Sequence, residues 1–114
     1  MNHDADLGAL ARHSSRFLEL VNRVRRRHEL EIDEAFLFVA VGCLNFDLHP
    51  HDVYSKPVSF AAVAEFARVQ RETCRRKLLA LVDKGLIQRT SYGLLVKDVA
   101  LWRRLSLMTG PADA

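Results

Sequence analysis

No run of apolar residues in this 114-residue chain is long enough to cross a bilayer. The longest, Ala35 to Leu44, is about half of the ~20 residues that a spanning helix needs. The opening stretch, Met1 to Asp6, is acidic where a secretory signal is basic, and no apolar segment of signal type follows it. Cysteine is scarce: Cys43 and Cys74 both sit inside apolar patterns and form no CxxC pair. That excludes a disulfide scaffold and the usual zinc spacings. No Gly-rich phosphate loop, no Ser/His/Asp set and no pair of carboxylates on a loop is visible, so an enzyme is not expected. Internal repeats and low-complexity segments are missing too. These absences leave a cytoplasmic protein of a single domain, 1–114, with no cofactor.

The composition suits a packed core, with 49% hydrophobic and 27% charged residues. A chain of this size buries roughly two-thirds of its unfolded surface. The net charge of +3 is unevenly spread. Residues 1–55 carry a net −3 and residues 56–104 a net +7. Such asymmetry points to a polyanion as the partner of the second half.

The spacing predicts a helix over 5–28, with Leu7, Leu10, Phe17, Val21 and Val24 recurring every three or four residues. Three heptads at this spacing are compatible with a seam between two helices, so these five residues are the expected dimer contacts. A second helix over 33–46 opens on Asp33 and Glu34, which suit the positive end of a helix dipole. Its body is apolar nearly all round, fit for the centre of a core or for sharing between two chains. Residues 48–57 read as a loop, with Pro50 and Pro57. His49, His51 and Asp52 within it are a weak metal candidate, two histidines with no third ligand specified. No metal site is expected.

From Val58 onward the local signals are dense. Ser59 is a good N-cap for a helix over 60–67, whose Phe60, Val63, Ala64 and Ala67 share one face. Arg68-Val69-Gln70 makes a short turn, with Val69 placed to plug the angle between two helices. A helix over 71–84 follows, with a buried stripe of Cys74, Leu78, Leu81 and Val82. Gly85 supplies the left-handed residue of its stop. Two short strands, 86–90 and 94–97, surround Ser91-Tyr92-Gly93, the glycine filling a positive-φ position. Asp98 caps a last helix over 99–108.

The expected fold is mainly α with a small β-hairpin wing. Residues 1–48 supply helices for dimerisation and residues 58–105 form a winged helix-turn-helix. In such a unit the second helix of the pair lies in the major groove and offers its first turns to base edges. Those turns here carry Arg71, Glu72, Thr73, Arg75 and Arg76, the expected base contacts. Arginine can bond the O6/N7 edge of guanine, and glutamate can accept from cytosine N4. Ser59, Arg68, Gln70, Lys77, Arg89, Tyr92 and Lys97 are the expected contacts to the DNA backbone or around the wing.

The run Val69-Gln-Arg-Glu-Thr-Cys-Arg-Arg-Lys-Leu78, ending in Asp83-Lys-Gly-Leu-Ile87, resembles the DNA-binding half of Crp/Fnr-type transcription regulators. The resemblance covers about residues 58–105. It implies that Arg71, Glu72 and Arg76 read bases and that Thr73 assists. Gln70 departs from the family's serine cap, and Lys77 from a usually apolar position. The family's cyclic-nucleotide barrel has no room here, so that effector is not implied. The layout, helices first and the DNA unit after, is similar to that of MarR-type dimeric regulators. The expected function is therefore a homodimeric, sequence-specific regulator on double-stranded DNA. The alternative is a winged-helix adaptor or anti-activator that binds a protein partner and reads no DNA.

Overall fold

The computed structural model describes residues 3–46 and 56–108. Five helices and a two-stranded antiparallel hairpin follow one another in an α+β arrangement: α1 His3–His28, α2 Ile32–Phe46, α3 Phe60–Ala67, α4 Arg71–Asp83, β1 Ile87–Thr90, β2 Gly93–Val96 and α5 Val99–Met108. Among the described residues no helix is long and apolar enough to cross a membrane. The boundaries of α3 and α5 match the expected ones, and α1 begins two residues earlier than expected. Most of the 48–57 loop, with His49, His51 and Asp52, lies outside the described residues.

Helix α2 is the hub. Leu37, Phe38 and Val41 are fully buried, because its apolar residues cover most of its circumference and α1, α3, α4, α5 and β2 all pack on it. It starts on one half of a capping box: the Glu34 carboxylate accepts from the backbone N–H of Glu31 at 2.7 Å. Near its other end Asn45 is 3% exposed, and both ends of its amide are used. Its Nδ2 donates to the carbonyls of Lys56 (2.7 Å) and Leu94 (3.1 Å), and its Oδ1 accepts from the N–H of Val96 (2.8 Å). Val58 and Leu94 then exchange backbone bonds of 3.1 and 2.7 Å, which places the strand-like entry to α3 beside β2.

Only the second half of α1 joins this core. Val24 is buried and Leu20 and Val21 pack against the cluster, whereas Leu7 and Leu10 are 62% and 54% exposed. Val24, expected at a dimer seam, thus belongs to the interior of its own chain. Phe17 is half-buried and lines, with Leu18, Val21, Ile32, Ala35, Phe36, Val39 and Leu105, an apolar groove of about 350 Å³.

The ends of the shorter helices follow from local chemistry. Ser59 Oγ accepts from the N–H of Ala62 at 3.0 Å and caps α3. Gly85, at φ +77°, closes α4 in a Schellman motif: its N–H reaches the Val82 carbonyl and that of Leu86 reaches Leu81. Gly93, at φ +137°, lies so close to strand residue Val58 that a Cβ would come within 2.7 Å of its carbonyl oxygen. Asp98 Oδ1 accepts from the N–H of Leu101 at 3.0 Å and caps α5.

Candidate nucleic-acid interface

The α3–α4 pair is joined by the three-residue turn 68–70. Arg68 ends α3 in the left-handed conformation (φ 57°), a place that glycine usually takes. The N–H of Val69 still reaches back to the Ala64 carbonyl at 3.0 Å, and the Val69 side chain packs on the core as expected. Gln70 occupies the N-cap of α4 with cap-like backbone angles, yet its side chain makes no cap bond. Its Oε1 instead accepts from the Thr73 hydroxyl at 3.1 Å, which ties two of the expected contact residues to each other.

Cys74, Leu78 and Leu81 turn the buried side of α4 inward. Burial in apolar surroundings pushes the Cys74 thiol above its ordinary pKa, so it stays protonated and unreactive at neutral pH. The opposite side leaves Arg71, Glu72, Arg75 and Arg76 exposed on the first two turns. Among the described residues no side-chain hydrogen bond or ion pair engages Arg71, Glu72 or Arg76.

Lys77 differs from the expectation of a phosphate contact. It is buried, and its Nζ lies 2.7 Å from Glu31 Oε2 and 2.8 Å from Asp33 Oδ2. The hydrogen bonds to Asp33 and Glu31 raise the lysine's pKa, and the bond from Lys77 lowers that of Asp33, so the group is held charged. One turn pair further on, Lys84 Nζ meets the buried Glu34 at 3.2 Å and donates to the Glu29 carbonyl at 2.7 Å. Lys77 and the C-cap residue Lys84 therefore fasten α4 to the acidic start of α2. The basic charge that α4 presents outward is arginine alone.

A third residue type organises the arginines. The guanidinium carbons of Arg75 and Arg89 lie 5.1 and 5.2 Å from the centre of the Phe60 ring, both within cation–π range. One aromatic ring at the start of α3 thus gathers a cation from α4 and a cation from β1. The sequence places Phe60 on one face with Val63, Ala64 and Ala67, and the ring does pack against the core; its second role, toward the two arginines, carried no signal in the spacing. Beyond β1, Tyr92 stands 86% exposed at the hairpin tip, and Lys97 is exposed after β2. Thr90 Oγ1 accepts from the N–H of Tyr92 and donates to the Gly93 carbonyl, which stiffens that tip. Ser59 and Arg68 are exposed at the two ends of α3.

The structure therefore brings Ser59, Arg75 and Arg89 around Phe60, sets Gln70 and Thr73 at the start of α4, and takes Lys77 out of the surface. Cys43 is half-buried on α2, and no group of three or more His, Cys, Asp or Glu suited to a metal is present among the described residues. Comparison with models of protein families, with curated proteins and with solved structures finds no match to this chain.

Proposed function

We propose that the chain is a winged helix-turn-helix regulator that binds double-stranded DNA as a homodimer and reads sequence with α4. The observation that carries this reading is the division of labour among the cations of α4. Lys77 and the C-cap Lys84 are paired with carboxylates at the start of α2, while Arg71, Arg75 and Arg76 are left outward on the turns that a recognition helix presents to base edges.

Arg71, Glu72 and Arg76, unengaged by the fold, suit base edges, where a bidentate arginine discriminates guanine by about 1–3 kcal/mol. Arg75 and Arg89, gathered on Phe60, suit a phosphate of the backbone flanking the groove. The β1–β2 hairpin is the wing on this reading, with Tyr92 and Lys97 alongside the DNA.

Selection from a randomised duplex library at ~150 mM salt tests it, because phosphate attraction is weakened there while base contacts survive. An enriched inverted repeat is the expected result. Binding without enrichment means a DNA protein without sequence preference. No binding at any salt means that the basic helix serves a protein partner, as in an adaptor or anti-activator.

A further inference from the structure

Among the described residues of the first half of α1, from Asp6 to Ser15, none is buried. The helix is continuous over 26 residues, about 39 Å, so its amino-terminal arm cannot fold back on the core that its other half covers. An isolated arm of this length is marginal in water. Yet it carries Leu7 and Leu10 exposed, in one stripe with Phe17 and Val21. Where the stripe reaches the core, the apolar groove begins, walled by Phe17, Leu18 and Val21 of α1, Ile32 and Phe36 of α2 and Leu105 of α5. Ile32 and Phe36 are 66% and 58% exposed.

We infer that this groove receives the α1 arm of a second copy, the two α1 helices crossing antiparallel near Ser14 so that each chain lays Leu7 and Leu10 into its partner. Three features select this occupant. The arm and the groove lie on one stripe, so a two-fold axis near its middle brings each onto the other and closes the assembly at two chains. The charges agree with an antiparallel pair. Asp6 stands near the amino end of α1 and Arg23, Arg25, Arg26 and Arg27 at its carboxyl end; antiparallel crossing sets the acidic residue against the basic end, and parallel pairing sets like against like. The sequence after α5, Thr109 to Ala114, offers no side chain larger than threonine, proline or aspartate, and none that fills a groove lined by phenylalanine and leucine.

This inference rests on the homodimer part of the proposed function and gives it a geometry. Sedimentation equilibrium on the full chain and cysteine cross-linking in a Cys43→Ala background test it. Leu7→Glu/Leu10→Glu alters two residues exposed in the single chain, so the fold remains, and the dimer dissociation constant rises by at least about 100-fold. Phe36→Glu, on the groove wall, does the same. Leu7→Cys/Val21→Cys forms an interchain disulfide on oxidation and Leu7→Cys alone does not. Within one chain these positions are about 21 Å apart along the helix, too far for a bridge.

Cross-linking by Leu7→Cys alone overturns the antiparallel arrangement. A dimer untouched by Leu7→Glu/Leu10→Glu overturns the arm as occupant. In both cases the homodimer stands. A wild-type chain that stays monomeric at high micromolar concentration overturns the homodimer as well, while DNA reading is still decided by the duplex selection.

Discussion

Trp102 lies directly across the α-carbon of Gly42, so close that a methyl group at position 42 would overlap the indole. The ring is pinned there by a 3.0 Å bond from its Nε1 to the Val39 carbonyl and by an edge contact with Phe46. Helix propensity alone favours alanine over glycine by about 1 kcal/mol. Overpacking a fixed ring and losing its hydrogen bond reverses that preference. Gly42→Ala is expected to lower stability by about 2 kcal/mol in urea titration. A neutral or stabilising result would mean that α5 can slide on α2.

Asn45 joins α2 to the 56–58 segment and to β2 through three bonds of its amide. Asn45→Leu fills the space but leaves the buried N–H of Val96 without its acceptor. The expected loss is about 3 kcal/mol, read from the denaturation midpoint. Exchange of the Val96 amide proton should accelerate along with it.

Gln70 holds an N-cap without capping. Gln70→Ser supplies a hydroxyl short enough to accept from the second or third N–H of α4. Stability should rise by about 1 kcal/mol. A fall would show that the Gln70–Thr73 bond matters more than the cap.

The Lys77 cluster predicts a pH window. Asp33 has a lowered pKa, so its stabilising contribution is complete above the ordinary carboxylate value and is lost as pH falls through the lowered one. Lys77 has a raised pKa, so its contribution is complete below the ordinary lysine value and is lost as pH rises through the raised one. Asp33→Asn should therefore be less stable than wild type at neutral pH, and the two curves should converge in acid below about pH 4. A gap that persists unchanged to pH 2 would rule out the carboxylate charge as its source.

On the proposed function, Arg76→Ala should cost about 1–3 kcal/mol in binding and relax preference at one base pair. Arg89→Ala should weaken all sequences alike and reduce the salt dependence by about one phosphate. An equal loss on every duplex for Arg76→Ala would reassign it to the backbone.

The second half of the chain was legible because its signals are local. Ser59, Gly85 and Asp98 each act within four residues of themselves, and the structure uses all three as their types suggest; Gly93 takes its expected positive φ and also meets the distant Val58. What escaped acts at a distance. Lys77 looked like one more cation on a basic helix because its partners, Glu31 and Asp33, lie over forty residues earlier in the chain. Asn45 and Gly42 carry no local signal of their roles, because β2 and Trp102, which meet them, lie some fifty to sixty residues further along the chain. Phe60 satisfied the core pattern while its ring served two arginines. At the candidate interface the exposure of the α4 arginines was legible from helical spacing, and the pairing of Lys77 and Lys84 was not.

The amide of Asn45 has a mechanical consequence. Its bonds span sequence separations of 11, 49 and 51 residues, and they end on Lys56, just before Val58, and on β2. A hairpin closed by its own four-residue turn would ordinarily pivot freely at its base. Here it is riveted to the central helix, so tilting it requires breaking buried bonds, and hairpin and α2 move as one lever.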